Sequence, residues 1–192
     1  MDSRTKILGK LKSSVTGSTP PHVPLTQGDS GKLKETFKTV LSSIGGAVVE
    51  IPDADSLTLF VKENYESDTR IVSCVSWLQE FEKISAPVNS PHAFQDVHLA
   101  IVHGDFAVAE NGAVWVNDDL MPQRVLPFIC EHLMLIVKAS AIVGTMHDAY
   151  DRIGDSSHGF GVFIAGPSKT ADIEQSLVLG AHGPKSMTVV LM

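Results

Sequence analysis

The sequence predicts an α/β domain built on a mostly parallel sheet covered by helices on both faces. Two observations predict it. Several short apolar runs, among them Val97–Val102 and Leu133–Val137, are continuous rather than alternating, which is how strands buried on both faces read. These runs alternate with segments of helical periodicity, the pattern of layered α/β folds. A third, local feature adds detail. Asn111-Gly112 stands between Ala107–Glu110 and Ala113–Val116. Asn-Gly suits a two-residue turn in which both positions need positive φ, so an antiparallel hairpin inserted in that sheet is expected.

The elements follow in order. Lys32–Ile44 carries Leu33, Phe37, Val40, Leu41 and Ile44 at helical spacing and stops at Gly45-Gly46, a natural C-cap. Ala47–Ile51 reads as a strand. Asp53–Tyr65 reads as a helix with Asp53 or Asp55 as N-cap. Strands are expected at Arg70–Val75, Val97–Val102, Leu133–Val137, Gly161–Ala165 and Thr188–Met192. Ser140–Ile153 reads as a helix. Residues 166–184, GPSKTADIEQSLVLGAHGP, read as a turn, a short helix and a second turn before the last strand.

The 192 residues suit one domain over 31–192, preceded by a Ser-, Thr-, Pro- and Gly-rich N-terminal arm or linker in residues 1–30. Hydrophobic residues make up 43% and charged ones only 19%, below the roughly 25% usual in globular domains. Mean hydropathy is +0.12. Some apolar surface is therefore expected to be covered by a partner or by a second copy. The net charge of −7 and the scattered Lys and Arg exclude nucleic acid and anionic membrane surfaces as partners. No run approaches the ~18 apolar residues that span a bilayer, and no signal-peptide pattern opens the chain. A cytoplasmic protein is expected.

The two cysteines, Cys74 and Cys130, sit in or beside apolar runs without a C-x-x-C, as buried reduced thiols do. They cannot supply the four thiolates that an iron–sulfur cluster normally takes. The histidines form no metal signature: His98 and His103 are i, i+5, and no H-x-x-x-H occurs. Only a site assembled from distant residues is left open. Gly161-x-x-x-x-Gly166 is followed by Pro167 where a P-loop needs lysine, and Gly159-x-Gly161 has Ile164 in place of the third glycine of a dinucleotide fingerprint.

Functional candidates cluster in Gly166–Pro184. Gly166 permits close backbone approach. Ser168 or Thr170 can cap a helix, and with Lys169 and free N–H groups they favour a small anion. His182 is a candidate base or donor to a carboxylate. Whether His182 meets Ser168 depends on how much of Thr170–Val178 is helical. Glu110, beside the hairpin turn and near Asp105, is a candidate base. Arg124 can clamp a carboxylate, while Glu131-His132 enters a buried strand and Lys138 leaves it. The candidate catalytic residues are Glu110 and His182. The candidate ligand-binding residues are Gly166, Ser168, Lys169, Thr170, Asp172, Gly183, Arg124 and His132.

The same residues carry a family resemblance. The C-terminal stretch from Gly166 resembles the signature of the lactate-utilisation protein C family, the LUD domain. Gly104–Ala113 is similar to the family's middle motif, and Leu126-Pro127 through Glu131-His132 to its next block. The resemblance implies a Rossmann-like fold of the sugar-phosphate isomerase and CoA-transferase class. It implies a component of bacterial L-lactate utilisation, acting with partner proteins that carry the iron–sulfur clusters in oxidation of lactate to pyruvate. No cofactor is expected in this chain. Where the family usually has Ala-Glu-Thr-Gly-Thr, this chain has Ala109-Glu110-Asn111-Gly112-Ala113, so two hydroxyls are missing. Two alternatives stand beside that reading. One is a free-standing enzyme or binding protein for a small anionic metabolite (a sugar phosphate, acyl-CoA or hydroxy acid). The other is a structural or regulatory subunit.

Overall fold

The computed structural model describes Arg4 and residues 30–66, 68–84, 90–155, 159–171 and 177–192. The arm expected before the domain lies almost wholly outside these residues.

Helix α1 (Ser30–Ser43) buries Phe37 and Leu41 completely. It ends where Gly45 takes φ +89° and the Gly46 N–H donates to the Leu41 carbonyl at 3.0 Å, so left-handed backbone satisfies the helix end. Strand β1 (Ala47–Glu50) follows. Helix α2 (Ala54–Asn64) starts at Asp53, whose carboxylate accepts the Ser56 N–H at 2.7 Å, and buries Leu57 and Val61.

The remaining strands of the central sheet are β2 (Ile71–Ser73), β3 (Glu82–Lys83), β4 (Leu99–His103), β7 (His132–Val137) and β12 (Ser186–Leu191). Their order is β1-β12-β7-β4-β2-β3, and every pairing is parallel. The continuous apolar runs are explained at once. Ala100, Val102, Leu133, Leu135, Val137 and Val189 enter one core, while Leu99, Ile101, Met134, Ile136 and Val190 enter the other.

Helices cover both faces as expected, and a second sheet joins the helix on one of them. Helix α2, with Val75 and Leu78, closes the second core. The first is closed by α1 and by a second sheet of β5 (Phe106–Val108), β6 (Ala113–Asn117), β8 (Ile142–Val143) and β9 (Gly161–Ile164), ordered β8-β5-β6-β9. The predicted hairpin therefore exists but lies in this second sheet. Its loop has four residues instead of two: Val108 pairs with Ala113, and Gly112 takes positive φ, at +70°. Asn111 instead accepts the Ala113 N–H on its side chain at 3.0 Å.

Two helix expectations are also corrected. Ser140–Ile153 is a 3₁₀ turn (Ala139–Ala141), strand β8, and then a short helix, Met146–Ile153, which starts late because Thr145 and Asp148 form a capping box. The helix expected after Gly166 is absent from the described residues. In its place β10 (Lys169–Ala171) and β11 (Leu177–Leu179) pair antiparallel. The β-branched and aliphatic residues there prefer a strand pair to an isolated helical turn.

The chain passes from β4 to the second sheet through Gly104. A Cβ there would lie 2.3 Å from Val114 Cγ1 and 2.9 Å from Val137 Cγ2. Gly104→Ala should overpack the junction of the two sheets and cost about 1–3 kcal/mol, measured as a lower urea midpoint at unchanged m-value.

Candidate functional site

The strand order places a crevice at the carboxyl edge of the central sheet. From β2 the chain steps outward to β3, then returns to β4 on β2's other side and continues inward to β7 and β12. Loops leaving β2 and β4 thus diverge, and open α/β sheets bind ligands at such a switch point. The cavity found there holds about 520 Å³ and is lined by Trp77 after β2, His103 and Asp105 at the end of β4, Lys138 after β7, and Arg152. The Trp77 and His103 rings meet edge to face at 5.9 Å.

Each side chain is placed by a neighbour. His103 ends a buried strand, and burial, with a smaller contribution from the Lys138 charge, pushes its imidazole below the usual histidine value despite a hydrogen bond to the Ile136 backbone. Arg152 lies on the last turn of Met146–Ile153, with its guanidinium 4.8 Å over the Phe106 ring and 3.7 Å from Asp105. Phe106 in turn belongs to a cross-strand aromatic row with Trp115 and Phe163. Lys138 has no carboxylate partner among the described residues. One carboxylate therefore faces two fixed cations and a neutral imidazole, in a chain whose net charge is −7. The arrangement attracts a small anion and offers a proton acceptor beside it.

A larger cavity of about 640 Å³ contains Arg124. There the bidentate clamp forms as Arg chemistry suggests, but its carboxylate is internal. Arg124 Nε and Nη2 donate to the two oxygens of Asp118 at 2.9 and 2.7 Å.

Residues 76–192 match the family model described as the LUD domain. The chain belongs to the LUD domain family. It is similar to a lactate utilization protein C of Anoxybacillus flavithermus (strain DSM 21510 / WK1), 23% identical over 99% of this chain and 82% of the relative. It is also similar to one from Geobacillus sp. (strain WCH70), 28% identical over 89% of this chain and 73% of the relative. A lactate utilization protein C 1 of Bacillus mycoides (strain KBAB4) is 34% identical over 45% of this chain and 39% of its own length. Among solved structures, a DUF162 family protein from Deinococcus radiodurans superposes with a TM-score of 0.67 over 85% of this chain and 98% of that one, at 15% identity. At that identity the likeness concerns the fold.

In this LUD chain the two signature segments meet at the end of α1, away from the carboxyl edge. A Cβ on Gly112 would lie 3.0 Å from Leu41 Cα, and one on Gly166 would lie 3.0 Å from the Ile44 carbonyl. Gly166, at φ +74°, is thus used for close packing of chain on chain. The turn after β9 ends a strand of the second sheet, so it does not lie at the carboxyl edge of the parallel sheet. The two ends of the segment do come together. The Ser168 N–H donates to the Pro184 carbonyl at 2.9 Å, the Gly180 N–H donates to the Ser168 carbonyl at 3.1 Å, and Gly183 packs against Ser168. Lys169 is exposed and folds over Gly45. Thr170 lies in β10, and Asp172 lies outside the described residues.

The remaining candidates scatter. His182 is exposed in a groove with Glu131 and Lys185. Glu110 accepts the Met146 N–H at 2.8 Å and so anchors the start of a helix. His132 opens β7 at the amino edge, with Nδ1 2.6 Å from Ser186 Oγ. The crevice residues Trp77, His103 and Arg152 were missed because only the strand order shows which loops converge. The signal available was the placement of Asp105 and Lys138 just after apolar runs.

Two outcomes follow. Both His103 and His132 are held below the ordinary histidine value. The unfolded chain therefore takes up protons first, and stability should fall as pH drops below about 6.5. The fall in urea midpoint between pH 7.5 and 5.5 should be shallower in His103→Gln. Glu110→Ala should cost about 1 kcal/mol in urea denaturation through the lost helix anchor.

Proposed function

We propose that this chain is the non-redox component of a lactate-utilisation system. In that reading it binds the small carboxylate substrate in the carboxyl-edge crevice, and partner proteins carry the iron–sulfur clusters that accept the electrons. The observation that carries it is the near full-length similarity to proteins named lactate utilization protein C.

The crevice suits a 2-hydroxy acid. Lys138 pairs with the carboxylate, and His103, held neutral, accepts from the hydroxyl. Oxidation of lactate to pyruvate releases two electrons and two protons, so an acceptor is needed. Cys74 and Cys130 do not suit a cluster: burial pushes each thiol up to about 12, and iron–sulfur ligation needs thiolates. Exposed Leu59, Phe128 and Tyr150 provide apolar contact for such partners or for a second copy. No helix among the described residues is long and apolar enough to cross a membrane.

Deleting the gene should abolish growth on L-lactate, and the wild-type gene should restore it; normal growth without the gene overturns the reading. In purified protein, Lys138→Met should weaken L-lactate binding by about 10- to 100-fold, the worth of a charge-assisted hydrogen bond, measured by calorimetric titration. Equal affinity in wild type and variant removes the crevice from the account.

A further inference from the structure

At the opposite edge of the central sheet, three potential ligands converge that the lactate reading does not use. His98 immediately precedes β4, and Glu131 and His132 lie at the start of the neighbouring β7. The His132 N–H donates to the His98 carbonyl at 2.8 Å, so the parallel ladder fixes the two residues side by side. Their rings meet at 4.7 Å between centroids, and His98 Nδ1 lies 3.0 Å from Glu131 Oε2. One ligand atom from each residue lies within 4.8 Å of the other two, and all three residues are half-buried.

We propose that His98, Glu131 and His132 form a binding site for a divalent transition-metal ion of the zinc type. Two imidazoles and a carboxylate are the donor set of zinc and related first-row ions and are poorly suited to magnesium or calcium. Tetrahedral zinc at its usual bond lengths needs ligand atoms about 3.4 Å apart. Side-chain rotation has to close the cluster by at most about 1.4 Å, the difference between that spacing and the 4.8 Å within which all three atoms lie.

The surroundings fit a metal centre. Ser186 Oγ lies 2.6 Å from His132 Nδ1, which orients the ring and selects its tautomer. Tyr65 stacks edge-on against both imidazoles, at 6.2 and 5.8 Å. A cavity of about 430 Å³ opens beside His98 and His132, between Tyr65 and Ser186, leaving room for a water as the fourth ligand. Lys185 Nζ holds the other oxygen of Glu131 at 2.5 Å. It competes with a cation for that carboxylate, and its own side chain is exposed.

The test uses untagged full-length protein freed of metal by chelator and titrated with Zn²⁺, Co²⁺ and Mg²⁺. The expected result is one Zn²⁺ per chain, no Mg²⁺ binding, and a Co²⁺ adduct with visible d–d bands but no thiolate charge-transfer band. His132→Gln and Glu131→Gln should each weaken Zn²⁺ by more than the roughly 10- to 100-fold typical of a lost outer-shell contact. Lys185→Ala should tighten it several-fold, an effect that adventitious surface binding would not produce. Failure to bind Zn²⁺ at 1:1 overturns the proposal, as does unchanged affinity in Glu131→Gln with a native circular dichroism spectrum. Should His132→Gln not fold, Glu131→Gln at a half-buried side chain and Lys185→Ala at an exposed one decide the matter. None of these readouts depends on lactate.

Discussion

Burial of the central strands on both faces is the constraint on which the rest of this structure depends. β4, β7 and β12 send alternate residues into two separate cores. A strand with no polar face must have a layer on each side and a hydrogen-bonded neighbour along each edge. The outer layers follow from that need: α2 on one side, α1 and a second sheet on the other. The chemistry is then confined to the two ends of the sheet, where strands begin and stop and polar side chains reach solvent.

The two ends differ in kind. At the carboxyl edge, diverging loops open a crevice with Lys138, which has no carboxylate partner among the described residues, His103 and an Arg152 held over the Phe106 ring. At the amino edge, parallel registry stacks the first residues of adjacent strands, so His98, Glu131, His132, Lys185 and Ser186 form a compact polar cluster. The carboxyl edge sets two cationic side chains and one carboxylate around a cavity. The amino edge gathers nitrogen and carboxylate ligands around a point. Both rest on the same rigid strands, which hold side chains more firmly than loops do.

The signature segments serve a third purpose. Gly112 and Gly166 approach the end of α1 so closely that a Cβ at either would lie 3.0 Å from its backbone, a tight contact from which the helix end would have to give. Asn111 fits that loop because its side chain closes a turn on the Ala113 N–H. The loss of the family's usual threonine is thus compatible with the local backbone. Where Glu110 looked like a candidate base in sequence, its carboxylate is engaged by the Met146 N–H. Arg124 is a similar case: the bidentate geometry was foreseeable, and the identity of the carboxylate was not.

Local rules legible in the sequence are obeyed closely. The apolar runs are strands buried on both faces, Asp53 caps α2, Gly45 ends α1, and family membership was readable from Gly104–Ala113 and the stretch after Gly166. These depend on periodicity, capping and short-range φ/ψ preferences, which act within a few residues. The β10–β11 pair in place of a helix, and strand β8 ahead of Met146–Ile153, went the other way, because pairing across a sheet outweighs weak local propensity. Above all, the sequence by itself determined which apolar runs form β1, β2, β4, β7 and β12, while only the tertiary structure decided their order and so which residues meet. His98 and His132 stand 34 positions apart in the chain and touch because β4 and β7 are neighbours. Ser168 and His182 belong to one signature yet sit at the amino edge, away from the crevice, because the strand leading into them belongs to the second sheet.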